Sequence, residues 1–140
     1  MNAPGCRRGV CRYAEALYQL GRLDEAEEWA KKGSDMGGSD DMATQVLASQ
    51  VRAKVLARRG QHTEAERLAR EAVANADATD ALLTQAEARS DLAVALELAG
   101  RAQEATAALR EALERYERKG ALVPAEQVRK RLAALEPAST

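Results

Sequence analysis

Phenylalanine is missing from this chain of 140 residues, and aromatic residues make up only 3% of it. Aromatic rings bury the most surface per side chain, so any core here has to be closed with small aliphatic groups. An excess of one charge is missing too: Lys and Arg total 21, Asp and Glu 22, for a net charge of −1. That balance argues against a general nucleic-acid binder, which shows a basic surplus to meet phosphates. Small basic spots exist (Arg7, Arg8, Arg12, and separately Lys54, Arg58, Arg59), but base stacking would have only Tyr13 and Tyr18 to draw on. Cysteine is sparse, with Cys6 and Cys11 in C-x4-C spacing and His62 as the one histidine. Such a set supplies neither a disulfide scaffold nor the four ligands of a zinc site. No metal or other cofactor is expected, and the thiols read as free cysteines of a reducing cytoplasm.

Long apolar runs are also lacking. No apolar stretch follows Arg7 and Arg8 as in a signal peptide. The longest unbroken apolar run is Leu92 to Leu96, far short of the ~20 residues a membrane span requires. A soluble, cytoplasmic protein without membrane association is the expectation.

Alanine is abundant instead, at roughly a fifth of the chain, within a hydrophobic fraction of 46%. Alanine is the best helix former and poor strand material, so an all-α protein follows. The length suits one domain that can bury a core unaided.

Internal repetition organises the chain. GRLDEAE at 21–27, GQHTEAE at 60–66 and GRAQEAT at 100–106 align, with the glycines at 21, 60 and 100. Seven residues before each glycine stands an alanine (Ala14, Ala53, Ala93), and four before it a leucine (Leu17, Leu56, Leu96). Each unit reads as helix, tight turn, helix. The alanine and leucine share one face of the first helix, and glycine supplies the left-handed residue that ends it. Thr63 and Glu66 form a T-x-x-E capping box for the second helix of the second unit. Ala65, Ala69 and Ala72 let that helix lie close to its partner. Glu66/Arg70, Glu111/Arg115 and Glu114/Arg118 are i, i+4 pairs on solvated faces. Trp29 and Tyr116 are expected to pack between units.

GSDMGGSDD at 33–41 and NADATD at 75–80 link the units, with Asp40 or Asp41 and Thr79 as N-caps. Seven helices are expected at about 10–20, 24–33, 41–59, 63–77, 80–99, 102–119 and 124–135. Repeats then occupy about 10–34, 41–76 and 80–119. Pro124 opens a last helix with Val128, Leu132 and Leu135 on one face, a cap over the final repeat, followed by a tail at 136–140. Residues 1–9 show no helical stripe and are expected to be disordered or a truncated segment. A solenoid uncapped at that end is either a piece of a longer protein or covered by another subunit, which leaves self-association open.

A small residue, a leucine three on, a glycine four further and an alanine five beyond it resembles the tetratricopeptide repeat. Ala72 and Ala112 match the second small position of the family's second helix, where the first unit has Gly33. Leu17, Leu56 and Leu96 replace the family's usual tyrosine, and the period exceeds the family's ~34 residues. VRAKVLARRGQHTEAERLAREAVA and DLAVALELAGRAQEATAALREALERYERKG resemble the C-terminal repeat arrays of bacterial multidomain signalling proteins. Those join an ATPase to an adenylate/guanylate cyclase or a DNA-binding regulator. The resemblance spans about Val10 to Leu135 and implies a right-handed superhelical solenoid of antiparallel hairpins, about three repeats plus a C-terminal cap.

The same resemblance implies a non-catalytic scaffold that takes a protein or peptide in a groove lined by the first helices. The carried-over lining comprises Arg8, Cys11, Glu15, Tyr18 and Gln19; then Leu47, Gln50, Lys54, Ala57 and Arg58; then Glu87, Ser90, Val94, Glu97 and Leu98. Asparagine is absent from these positions, so a clamp for a peptide's terminal carboxylate is not expected. Lys54 and Arg58, i and i+4 beside Leu47 and Gln50, favour a ligand with carboxylates around an apolar anchor. No catalytic constellation is present: His62 lies in a turn, no phosphate-binding G-x-x-x-x-G-K-[ST] loop occurs, and the acids at 24–28 suit a helix start. The alternative is a sensor segment of a larger ATPase–cyclase or transcriptional regulator.

Overall fold

A computed structural model of the chain describes residues 4–38 and 41–136, with side chains from Gly9 onward. Those residues form seven helices: α1 Pro4–Gln19, α2 Leu23–Gly37, α3 Met42–Arg58, α4 His62–Asp77, α5 Leu82–Leu98, α6 Ala102–Lys119 and α7 Leu122–Leu135. No strand occurs among them. Helices α1/α2, α3/α4 and α5/α6 are hairpins, α2 packs on α3, α4 packs on α5, and α7 packs on α6. The first helices also touch one another, α1 with α3 and α3 with α5, whereas α2, α4 and α6 make no comparable contact among themselves. The stack therefore curves with the first helices on the inside. This is the expected all-α solenoid.

The turns follow from local chemistry. At Gly21, Gly60, Gly100 and Gly120 the backbone is left-handed, with φ of 81°, 82°, 78° and 78°. Each glycine N–H donates to a carbonyl three back, and the next N–H donates to the carbonyl of Leu17, Leu56, Leu96 or Tyr116 at 2.9 Å. This double closure satisfies carbonyls that a helix end leaves open, and glycine alone adopts it without a Cβ penalty. The leucine of each repeat is thus the residue whose carbonyl receives the closing bond.

Small residues then bring the paired helices together. Ala14, Ala53 and Ala93 are fully buried, as are Ala26, Ala65 and Ala105 on the facing helices. Leu17, Leu96 and Leu109 fill the remaining space, while Leu56 is only partly buried. Trp29 meets Tyr13 of its own unit edge-on at 5.3 Å and packs on a cluster that includes Val51 and Val55 of the next.

Several boundaries differ from expectation. Helix α1 is already formed at Pro4, inside the segment expected to be irregular; a proline's fixed φ and missing N–H suit a first helical turn. Helix α2 runs past Gly33 to Gly37, through half of the expected linker. Gly33 is buried there against Cys11, whose Sγ would stand 2.5 Å from a Cβ at this position. The Thr63/Glu66 capping box is not formed. Helix α4 starts at His62, which puts Thr63 inside it, its N-cap Gln61 makes no side-chain cap, and Glu66 instead binds Arg70 and Arg101. The Glu111 carboxylate likewise goes to Arg89 at 2.7 Å, and Arg115 meets Glu111 through its backbone carbonyl while also binding Gln85 and Glu114. Asp41 caps α3, accepting from the Thr44 N–H and hydroxyl at 3.2 and 2.8 Å. Asp40, positions 137–140 of the expected tail, and the side chains of Cys6 and Arg8 lie outside the described residues.

Charged side chains tie neighbouring units at the turns. Arg59 at the end of α3 binds Asp24 and Glu27 of α2, and Arg101 before α6 binds Glu66 of α4 and Glu104. Arg89, buried in α5, forms a two-bond pair with Asp77 at 2.7 Å and also holds Glu111.

Candidate functional site

The inner face carries a cavity of about 170 Å³ where α1, α3 and α5 converge. Helical spacing puts Arg12 and Glu15 of α1 on one wall, and Leu47, Gln50, Val51 and Lys54 of α3 on the floor. Glu87, Ser90 and Asp91 of α5 form the other wall, with Tyr116 of α6 behind them.

Lys54 organises the charges. Its Nζ lies 2.5 Å from Glu15 Oε1 and 3.3 Å from Asp91 Oδ2, so one ammonium joins all three first helices. Its side chain is 4% exposed. Burial disfavours the ammonium, but Asp91 and Glu15 outweigh it and hold the pKa above the ordinary lysine value. Gln50 Nε2 donates to Asp91 Oδ2 at 2.8 Å. Asp91 is mostly buried, and that burial pushes its carboxyl up although Lys54 pulls it down. Glu87 is pushed up as well, chiefly by burial, with Arg12 at 3.6 Å as a partial counterweight. Burial beside Glu87 and Asp91 raises the Tyr116 phenol to about 12. Arg131 of α7 reaches over to Ser90 Oγ at 2.7 Å.

Of the residues the sequence nominates, Leu47, Gln50, Lys54, Glu87 and Ser90 come together on this cavity, joined by Glu15 and Cys11. Tyr18 is buried next to it, its ring 4.9 Å from Lys54 Nζ and 5.4 Å from the Arg58 guanidinium. Arg58 is exposed, and Val94 is half-buried and does not line the cavity. Lys54 is not the exposed cation that the i, i+4 pairing with Arg58 suggested, because two carboxylates occupy it. The expectation of a carboxylate-bearing ligand, which rested on that free cation, is therefore withdrawn. The lining residues outside the nominated set are Arg12, which the sequence presents as part of a basic spot, Tyr116, expected to pack between units, and Val51 and Asp91. Asp91 stands four residues after Glu87, so the same helical arithmetic puts it on the same wall.

Cys11 belongs to the wall as a packed group. It is 1% exposed, its thiol points to the Thr44 carbonyl at 3.8 Å, and burial pushes its pKa up to about 11. Such a thiol is protonated and inert at neutral pH. Among the described residues no cluster of His, Cys, Asp and Glu could hold a metal ion. No helix among them is long and apolar enough to cross a membrane.

Two family models match the chain, both described as tetratricopeptide repeat: one over residues 85–119, the other over 8–32 and 51–71. No curated protein matches it in sequence. Among solved structures it is similar to a Podosopora anserina protein assigned as a kinesin light chain with nearly identical TPR-like repeats. The TM-score is 0.76 at 20% identity, covering 99% of this chain and 69% of that one. A single-residue variant of the same protein gives a TM-score of 0.74 at 20% identity, over 97% and 68%. At that identity the likeness concerns the fold.

Proposed function

Because the chain carries tetratricopeptide repeats, we propose that it is a non-catalytic scaffold that binds a protein or peptide segment on its inner face. Repeats of this kind generally mediate protein–protein interaction. The observation that carries the reading is the cavity at the junction of α1, α3 and α5, lined by polar and charged groups from three successive units. Its volume is below the ~300–1,000 Å³ of ordinary small-molecule sites. It fits an end group or one side chain of a longer ligand, with the rest of the segment lying along the inner helices. The narrower likeness to bacterial ATPase–cyclase or regulator arrays is not supported by the two family models or by the solved structures named above. It stands, like self-association through the N-terminal end, on sequence alone.

Selection from a displayed random-peptide library tests the proposal. Enriched peptides should bind the wild-type chain, lose at least about tenfold in affinity to Leu47→Arg, which fills the cavity, and keep their affinity for Ala74→Arg on exposed α4. No enriched peptide, or peptides indifferent to Leu47→Arg, would refute an inner-face site.

A further inference from the structure

In the second and third units the first helix is covered on one side by the second helix of the unit before: α2 packs on α3, and α4 on α5. The covered face carries Ala48 and Val55 in α3, both buried, with Arg52 half-buried between them. In α5 the same places hold Ala88, Leu92 and Ala95, all buried. Val55 clusters with Ala26 and Ala30 of α2, and Ala88 with Ala72 and Ala76 of α4. Counted back from the turn glycine, the equivalent places in α1 are Gly9, Tyr13 and Ala16, with Leu20 one turn further along the stripe. All four are exposed, Tyr13 at 48% and Leu20 at 71%. The stripe that a helix covers in the later units is open in the first.

A second observation is electrostatic. Arg101, which follows the third turn glycine, gives Nε and Nη2 to Glu104 of its own unit at 2.6 and 2.7 Å. Its Nη1 goes across the junction to Glu66 of α4. Arg22 follows the first turn glycine in the same way. It gives Nε and Nη2 to Glu25 at 2.7 and 2.6 Å, and its Nη1 has no acceptor among the described residues. Arg22 thus repeats one half of the tie between units, without the carboxylate that Glu66 supplies to Arg101. Lys32, lying over the Trp29 ring at 4.3 Å, adds a second exposed cation to the same end. The nearby acids are engaged: Glu25 is held by Arg22, and Glu28 stands 3.9 Å from Lys32. A second copy of this end therefore brings no spare carboxylate, and an acidic helix from another protein does.

We propose that the outer side of α1 docks an amphipathic α-helix of a partner protein, with small residues against the stripe and a glutamate near its N-terminus on Arg22. Helix α4 on α5 is the template: its Glu66 is the fifth helical residue, and its buried face is made of alanines. Small residues are called for because Tyr13 and Leu20 are larger than Leu92 and Ala99 at the same places in α5. This docking face is independent of the inner-face reading, since none of the four stripe residues lines the cavity.

The probe is a capped peptide of residues 61–78, held helical by a side-chain lactam on its charged face, together with its Glu66→Gln form. Titration into the isotope-labelled chain is followed by NMR and by the fluorescence of Trp29, the one tryptophan present. The amides of Tyr13, Ala16, Leu20 and Arg22 should shift saturably. The Glu66→Gln peptide should bind about threefold more weakly, and the two peptides should bind the Arg22→Gln chain equally. Ala16→Arg, at an exposed position, should keep the fold and lose at least about tenfold in affinity for the peptide. The same variant should retain the library-selected peptides of the inner face, so the two readings can fail separately. No saturable shift would overturn the proposal, as would shifts centred on α3 and α5, where the peptide would merely replace α4. Equal binding of both peptides to the wild-type chain would overturn it too. A chain that dimerises by sedimentation and becomes monomeric on Ala16→Arg would assign the face to a second copy instead.

Discussion

Lys54 is held between carboxylates from two other helices, and the consequences of losing it differ from those of losing a surface lysine. Glu15 and Asp91 are drawn together across α3 by its ammonium at 2.5 and 3.3 Å. Removing one partner of a buried ionic group leaves charge uncompensated in a poorly solvated place. Lys54→Ala should therefore destabilise the chain by about 3–5 kcal/mol, measured by chemical denaturation. A loss under about 0.5 kcal/mol, typical of exposed positions, would mean that the cluster is solvated. The residue scale is also where the sequence was least legible. Gln50 and Lys54, carried over from the family resemblance, share one face of α3 and line the cavity opposite Glu87, a relation that within α3 depends only on residues of one helix. Whether Lys54 meets water or two carboxylates depends on the register between helices 39 and 37 residues apart in the chain, which no local pattern encodes.

At the scale of elements, legibility divides along the same line. The turns were readable because glycine and the leucine four before it act within a single loop, and the closing bonds at Gly21, Gly60 and Gly100 fall where the repeat puts them. The last turn, at Gly120, uses the same closure with Tyr116 in place of leucine. The extent of α2 was not readable, since glycine within 33–38 looks like a link. Gly33 is instead a packing residue: Ala72 and Ala112 occupy the corresponding places in the other units, but Cys11 fills that volume in the first. Gly33→Ala should lower stability, because overpacking costs about 1–3 kcal/mol against at most ~1 kcal/mol gained from helix propensity. The pair Gly33→Ala/Cys11→Ala should be more stable than Gly33→Ala alone. Thermal melts of the wild type and the two variants check this, and a single Gly33→Ala that melts higher than wild type would contradict it.

At the scale of the whole molecule, curvature converts repetition into a site. First helices that pack on one another, and second helices that make no comparable contact, create an inner face on which three units share one cavity. Such a stack has only neighbour contacts, so its surface is continuous while its chemistry can vary from unit to unit. The repeat was legible as a fold for that reason, and its specificity was not, because the positions facing inward are those where the three units differ: Glu15, Lys54 and Val94 occupy one equivalent place, and Cys11, Gln50 and Ser90 another. The central claim is that ligands meet the first helices. Hydrogen exchange of the full chain, with and without the tightest library-selected peptide, tests it most directly. Added protection should be confined to α1, α3 and α5, greatest around 12–15, 47–54 and 87–91; protection centred on α2, α4 or α6, or none at saturating peptide, would contradict the account.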